Sequence, residues 1–173
     1  MKPDASPDSA AALSERAQYL TFLLDGIVFA VGIESVREII QYGQMTRVPL
    51  MPAFVRGVIN LRGAVVPVID LQARLGRPVS RVGEKTCIVI FDAACADERI
   101  ELGLMVEAVS EVIEIGREQI EPPPQFGSAV RREFIRGMAR VKDRFVILLE
   151  PDTALDIEVM ATLCEHEQER LAA

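Results

Sequence analysis

Short apolar runs alternate with turn residues along most of the chain, and three pairs of such runs predict β-hairpins. The first pair surrounds Asp25-Gly26, the second surrounds Arg62-Gly63-Ala64 and the third surrounds Lys142-Asp143. Asp-Gly is a strong hairpin signal because both residues tolerate the positive φ angles of a two-residue turn. The many Val and Ile residues in these runs also favour strands. The pattern therefore predicts an all-β fold.

Five further segments also carry predictions of local structure. The apolar positions from Ile33 to Ile40 have helical spacing and fit a short helix that leads into a strand. Asp70 to Leu75 predicts a helical turn, and Thr86 to Phe91 predicts a strand that is buried on both faces. Ala93 to Glu98 is small and polar and predicts a loop. The spacing of apolar residues between Asp156 and Leu171 predicts a C-terminal amphipathic helix.

The sequence contains an internal repeat. The segment Phe54 to Gly63 resembles Phe134 to Asp143, and upstream Ser35 to Ile40 resembles Ala108 to Ile113. In both halves a proline-containing stretch separates the two blocks, and they occur in the same order. We infer two similar β modules. Their short, regularly interrupted strands suggest small barrels, which leave no exposed sheet edges.

The same patterns predict the domain organisation. Residues 1–16 are rich in Ala, Ser, Asp and Pro, and we expect a flexible N-terminal tail there. Residues 17–165 are expected to form one domain of two intertwined β-barrel subdomains, with their boundary near the connector 77–85. Residues 166–173 are expected to be a C-terminal tail.

Composition and charge narrow the possible partners. The chain carries 26 acidic and 19 basic side chains, a formal net charge of −7. Nucleic-acid binding needs basic patches that displace counterions, so nucleic acid is not an expected partner. No apolar run approaches the roughly 18 residues that span a bilayer. The cysteines are odd in number and lack CxxC spacing, and no signal peptide precedes them, which indicates reduced thiols in the cytosol.

Residues with catalytic potential are few. His166 is the only histidine, so a His-based triad or a multi-His metal site is excluded by count. No phosphate-binding glycine loop is present. An acid pair such as Asp92 with Glu98 stays possible, although most such carboxylates are solvated loop charges.

Arg62 lies at the tip of an apolar hairpin and has two equally supported interpretations. It could form a structural ion pair, or it could belong to a charged rim beside an apolar docking groove.

One hairpin and its flanking segments resemble the CheW chemotaxis adaptors. Gly57 to Leu71 is similar to the signature hairpin of that family. Ser35 to Ile39, Pro52 to Gly57 and Glu118 to Pro124 resemble the family too, in the same order along the chain. The similarity extends from about Gln18 to Glu165.

The resemblance implies a fold and a role. The fold is two packed, five-stranded, SH3-like β-barrels with short helices, and with an apolar groove between the barrels. The role is a scaffold with no enzymatic activity, no cofactor and no metal. It would bridge methyl-accepting chemoreceptor tips to the regulatory domain of a CheA-type histidine kinase, in rings beneath the membrane. We expect a cytoplasmic protein, monomeric when isolated, that receptor arrays recruit without membrane insertion.

The resemblance also implies site residues, carried over by position. Those associated with receptor contact are Val36, Glu38, Ile39, Arg62, Cys87 and Ile88. Those associated with kinase contact are Gly57, Ile120 and Phe126. Glu121 replaces a basic residue of some members, and Cys87 stands where a β-branched residue is common.

Two other functions remain open on the sequence. The chain could be a CheW-like adaptor of a non-flagellar pathway, such as surface sensing or pilus motility. A small carboxylate-dependent enzyme is the remote alternative.

Overall fold

A computed structural model describes residues 16–95, 98–122 and 134–150, and most of these residues form β-strands. The strands in chain order are β1 (Ala17–Leu24), β2 (Ile27–Gly32), β3 (Val36–Gln41), β4 (Val55–Leu61), β5 (Ala64–Asp70), β6 (Cys87–Cys95), β7 (Glu98–Val106), β8 (Ala108–Ile115), β9 (Ile120–Glu121), β10 (Ile135–Val141) and β11 (Arg144–Leu149). The other elements are a one-turn α-helix at Leu71–Arg74 and short 3₁₀ helices at Ile33–Ser35 and Arg117–Gln119. The all-β prediction is confirmed.

The strands form two sheets. The first has six strands in the order β8-β1-β2-β11-β10-β9, and the second has five in the order β3-β6-β7-β5-β4. The first sheet combines the two N-terminal strands with strands from the end of the domain. The connector 77–85 joins β5 and its helix to β6 within the second sheet. The two modules are thus interleaved along the chain.

All three predicted hairpins are present, with two-residue turns. Both turn residues have positive φ in each: 51° and 78° at Asp25-Gly26, 53° and 84° at Arg62-Gly63, and 49° and 64° at Lys142-Asp143. Positive φ at both central positions is the property of the type I′ turn, whose twist matches that of the flanking strands. The third turn adopts this conformation without a glycine.

The sequence repeat corresponds to a repeat in structure. Strands β3, β6, β7, β5 and β4 of the second sheet follow the same order as β8, β1, β2, β11 and β10 of the first, and each set contains one parallel pair. A register shift lies between Val55 and Gly57 in the first copy and between Ile135 and Gly137 in the second. The two similar modules inferred from the sequence are therefore observed.

The buried residues that the structure describes separate into three clusters. The largest, which we call the inter-sheet core, takes side chains from both sheets: Leu20, Phe22, Leu24, Phe29, Val31, Ile69, Leu71, Leu75, Val89, Phe91, Leu102, Leu104, Val106, Phe134, Ile135 and Leu149. A second cluster lies within the first sheet and a third within the second. Strand β6 contributes to two of them, because Val89 and Phe91 face the inter-sheet core while Ile88 and Ile90 face the third cluster. Its predicted burial on both faces is confirmed.

Polar contacts hold the connector and the helical turn in place. Asp70 is fully buried, and its carboxylate accepts hydrogen bonds from the Ala73 backbone N–H (3.3 Å) and from the Ser80 hydroxyl (2.7 Å) and backbone N–H (2.8 Å). Arg77 forms an ion pair with Asp25 at the tip of the first hairpin. The connector of one sheet is thereby tied to a turn of the other.

One predicted loop is wrong, and several predictions lie outside the described residues. The sequence predicts a loop from Ala93 to Glu98, but β6 and β7 stay paired as far as Cys95 opposite Glu98. The ladder that begins in the buried part of the hairpin overrides the weak strand propensity of alanine. The N-terminal tail, the C-terminal helix and the C-terminal tail fall outside the described residues. Within the described part, no helix is long and apolar enough to cross a membrane.

Candidate functional site

Five of the six predicted receptor-contact residues lie on β3 and β6, the two strands at one edge of the second sheet. Arg62 lies instead at the tip of the β4–β5 hairpin, at the other end of the strand order. Strand β3 is the edge strand and pairs with β6, placing Ile39 opposite Val89 and Ile40 opposite Ile88. A register shift lies between Val36 and Glu38. It changes the alternation of side chains, so that Val36 and Ile39 share a face although three positions separate them.

Three of the predicted residues lie on the face of the inter-sheet core. Val36 and Cys87 are half-buried and pack against that core. Ile39 lies on the same face, opposite the buried Val89, and 43% of it is exposed. An isoleucine this exposed at the rim of a core adds apolar surface that folding does not bury. We call Val36, Ile39 and Cys87 the apolar edge.

Glu38 and Ile88 lie on the opposite face, where Arg62 reaches Glu38. Ile88 is buried in the third cluster and can influence a contact only through packing. Glu38, opposite Ile90, forms an ion pair with Arg62 at the tip of the β4–β5 hairpin, at 2.5 Å between Oε1 and a guanidinium nitrogen. The hydrogen bond and the negative charge of Glu38 raise the pKa of Arg62. This charged pair lies across β3 from the apolar edge.

Gly57 occupies a position that excludes a side chain. Its φ is +155°, and a Cβ there would lie 2.5 Å from the backbone carbonyl oxygen of Thr46. Thr46 and Val58 exchange two backbone hydrogen bonds, of 2.9 and 2.8 Å, across this close approach. Glycine therefore lets the segment between β3 and β4 lie directly on β4.

Ile120 has a related role in the second module. It is half-buried, pairs with Ala139 of β10 and packs against the cluster within the first sheet. Its Cγ2 atom fills the space where a Cβ on Gly137 would lie. Phe126, the third residue predicted to contact the kinase, lies outside the described residues.

Asp92, one member of the acid pair considered from the sequence, is ion-paired with arginines. Asp92 forms ion pairs with Arg37, at 3.4 Å, and with Arg99, at 3.1 Å. Glu98 belongs to β7, and its side chain is outside the described set. Among the described residues no group of three or more His, Cys, Asp or Glu side chains is arranged to hold a metal ion.

Arg74 is a residue that the sequence analysis missed. Its guanidinium carbon lies 5.1 Å from the ring centre of Phe54 and 5.0 Å from that of Phe134. These phenylalanines occupy equivalent positions in the two copies of the repeat. A single cation thus joins the two modules through cation–π contacts. The available signal was the repeat itself, combined with a basic residue at the end of the predicted helical turn.

Comparison with known proteins identifies relatives that are similar to this chain over most of its length. The profile of the CheW-like domain matches residues 18–159. The chemotaxis protein CheW of Klebsiella aerogenes is 33% identical over 144 residues, covering 83% of this chain and 84% of its own. A probable chemotaxis protein CheW of Rhizobium etli is 38% identical over 133 residues, covering 77% of this chain and 83% of its own.

The fold also has a solved counterpart. The crystal structure of the scaffolding protein TtCheW from Thermoanaerobacter tengcongensis aligns with a TM-score of 0.70 at 32% sequence identity. The alignment covers 78% of this chain and 84% of that one. A more distant relative is protein FrzA of Myxococcus xanthus, which is 28% identical over 132 residues.

Proposed function

Because the chain belongs to the CheW-like family, we propose that it is the coupling scaffold of a chemosensory pathway. It would bind a methyl-accepting chemoreceptor tip and the regulatory domain of a CheA-type histidine kinase at the same time. The observation that carries this proposal is the exposed Ile39 at the rim of the inter-sheet core, in a family that includes proteins named chemotaxis protein CheW. The role requires two docking surfaces and no catalytic group.

The apolar edge is the proposed receptor contact. A receptor helix packed there would bury the exposed part of Ile39 and extend the inter-sheet core outward. Arg62 and Glu38, across β3 from the edge, would supply charge at the border of the contact. Exposed apolar surface surrounded by polar groups is the usual composition of a protein interface.

The kinase contact is proposed around Gly57, Ile120 and Phe126. Gly57 would act indirectly, since it has no side chain and instead holds the segment after β3 against β4. Ile120 keeps part of its surface exposed beside β10. Each module would thus present one part of the kinase surface.

The internal repeat supplies a matched test of the receptor contact. Val112 occupies the position in β8 that corresponds to Ile39 in β3, and it is 48% exposed. We compare Ile39→Lys with Val112→Lys in a titration against a soluble receptor-tip fragment. Ile39→Lys should weaken binding at least about tenfold, because the lysine would be desolvated without a partner. Val112→Lys should bind like the wild-type protein.

Thermal melts of both variants provide the control. Neither should change the melting temperature by more than one or two degrees, since both positions are exposed. Equal binding by the two variants would remove the apolar edge from the proposal. No binding of the unmodified chain to either the receptor tip or the kinase regulatory domain would reject the scaffold function.

A second candidate keeps the scaffold and changes the pathway. The similarity to protein FrzA, whose name does not mention chemotaxis, is the observation that supports a non-flagellar chemosensory pathway as the alternative. Neighbouring genes separate the two possibilities: flagellar genes support the first, and pilus or surface-sensing genes support the second. In either case we propose a cytoplasmic protein that reaches the membrane only through its receptor.

A further inference from the structure

The tip of the β10–β11 hairpin carries positive charge that nothing in the described structure neutralises. The hairpin contains Arg136, Arg140, Lys142 and Arg144, all exposed, against a single acid, Asp143. Among the described residues none of the four cations forms an ion pair. This local excess of cations lies on a chain whose formal net charge is −7.

The tips of the other two hairpins with two-residue turns differ in this respect. Asp25 of the first is paired with Arg77, and Arg62 of the second is paired with Glu38. The repeat makes the second comparison direct, because Lys142 corresponds to Arg62 and Glu111 corresponds to Glu38. Glu111 and Lys142 line a common cleft but form no ion pair. The same pair of positions is closed in one module and open in the other.

Apolar surface accompanies the charge. Phe145 is 55% exposed, and the Arg140 guanidinium lies 5.8 Å from the centre of its ring. Beside the tip is an open cleft of about 240 Å³, lined by Lys142, Arg144 and Glu111 and by the apolar side chains of Leu23, Val28, Ile113, Val141 and Val146. The cleft has room for an apolar side chain, with cations at its border.

We propose that this surface, Arg140, Lys142, Arg144 and Phe145 with the adjacent cleft, binds a short acidic segment of a partner protein through an apolar anchor residue. None of its residues belongs to the proposed receptor or kinase contacts, so it does not depend on those assignments. Arg and aromatic residues around a pocket are the composition of an interaction hot spot. Even with Asp143 and Glu111 included, the surface is positively charged and complements carboxylates.

The overall charge favours a short segment over an extended polyanion. Charges further apart than a Debye length, roughly 8 Å at physiological ionic strength, are largely screened from one another. A short peptide would therefore experience mainly the cations at the tip. A membrane surface or a nucleic acid would also face the acidic remainder of the chain, which repels it.

The test uses a fluorescein-labelled peptide of alternating glutamate and leucine, titrated against the full chain by fluorescence anisotropy. Lys142→Glu combined with Arg144→Glu should weaken binding at least about tenfold, and added salt should weaken binding to the wild-type chain. Arg81→Glu combined with Lys85→Glu is the matched control, because both residues are exposed and the change in net charge is the same. This control should bind like the wild-type chain. A peptide with lysine in place of glutamate should not bind.

Four outcomes would overturn the proposal. Equal weakening by both double variants would show that only net charge matters. Binding of anionic vesicles or duplex DNA without binding of the peptide would assign the surface to another class of partner. Chemical-shift changes in residues 151–173 of the unliganded Lys142→Glu, Arg144→Glu chain would show that its own acidic C-terminal segment occupies the surface. Failure of the wild-type chain to bind the peptide would overturn it directly, whereas receptor and kinase titrations would be unaffected.

Discussion

The two copies of the repeat share their backbone and differ in their exposed side chains. In each copy, the acidic residue at the end of the hairpin's second strand bonds to the phenylalanine that precedes its first strand. The Asp70 N–H donates to the Phe54 carbonyl (2.6 Å), and the Glu150 N–H donates to the Phe134 carbonyl (2.9 Å). Each copy has a register shift immediately before its glycine. At the hairpin tips, however, one copy has an ion pair and the other has cations with no ion-pair partner among the described residues.

This difference distinguishes the residues that determine the fold of each module from the exposed residues that are available to contact partners. Both copies need the same backbone features to form the same strand order. These features are the turn conformations, the register shifts and the close backbone approaches. Exposed charges contribute little to stability, so they can diverge without loss of the fold. Two modules with one architecture can therefore bind different partners.

The largest expected effect tests whether the equivalent glycines are equally constrained. At Gly57 a Cβ would lie 2.5 Å from the Thr46 backbone oxygen and the φ of +155° is also unfavourable for a side chain, whereas at Gly137 it would lie 2.6 Å from Cγ2 of Ile120 and 2.8 Å from the Glu121 backbone oxygen, with no left-handed φ. Gly57→Ala should lower the free energy of unfolding by about 3 kcal/mol, and Gly137→Ala by about 1.5 kcal/mol. Urea denaturation of both variants measures the difference.

Gly63→Ala is the control for backbone conformation alone. Gly63 has φ of +84°, and a Cβ added there would have no other atom within 4 Å, so its substitution should cost about 1 kcal/mol. A loss at Gly57 no greater than that at Gly63 would show that the approach of Thr46 is easily relieved.

The second prediction concerns the cation shared between the modules. The Arg74 guanidinium is nearly equidistant from the two rings, but Phe134 is buried and Phe54 is half-buried. Double-mutant cycles with Arg74→Met should give coupling energies of about 1.5 kcal/mol to Phe134→Leu and about 1 kcal/mol to Phe54→Leu, because burial strengthens cation–π contacts. Thermal or urea unfolding of the single and double variants gives both values.

The exposed pair of Arg140 and Phe145 provides the reference cycle. Its separation is 5.8 Å, and its coupling should be about 0.5 kcal/mol. Coupling of Arg74 to only one of the Phe54 and Phe134 rings would mean that Arg74 belongs to one module and does not link the two modules.

Local signals in the sequence were sufficient for the hairpins, the repeat and the strand that is buried on both faces. Asp25-Gly26 specifies its turn through residue chemistry alone, and the Thr86–Phe91 run has no polar face to expose. The interleaving of the modules was only partly accessible. Pairing of β1 and β2 with β8 and β11 involves residues about 90 or more positions apart in the sequence, as between Thr21 and Glu111, and no local pattern encodes it.

The candidate site was predicted by similarity more than by pattern. The family resemblance assigned Val36, Ile39 and Cys87 to the same contact, and in the structure the three residues lie on one face. Strand alternation places Cys87 and Ile88 on opposite faces, but the sequence could not show that Val36 and Ile39 share a face, because the register shift in β3 depends on its pairing with β6. Arg74 was missed for a similar reason, since its two ring contacts come from segments 80 residues apart, at Phe54 and Phe134.

The smallest expected effect compares the two hairpin tips directly. Arg62→Ala removes an ion pair in which both side chains are partly exposed, and Lys142→Ala removes a cation with no ion-pair partner among the described residues. Arg62→Ala should therefore destabilise the fold slightly and Lys142→Ala should not. In about 1 M salt, where the Debye length is about 3 Å, the difference should disappear. Urea denaturation at low and high salt measures it, with Glu38→Gln as the partner variant.

The dependence on pH provides an independent check on the same pair. Glu38 raises the pKa of Arg62 above its already high ordinary value. A group whose pKa is raised by folding stabilises the folded state below its unfolded pKa, and loses that effect only as pH rises through the folded pKa. The difference between Arg62→Ala and the wild-type chain should thus stay constant from neutral to moderately alkaline pH. A difference that survived high salt would show that Arg62 holds the hairpin through packing rather than charge, and the contrast between the two tips would then lie in their shape. A difference that fell within that pH range would contradict its origin in the Arg62–Glu38 ion pair.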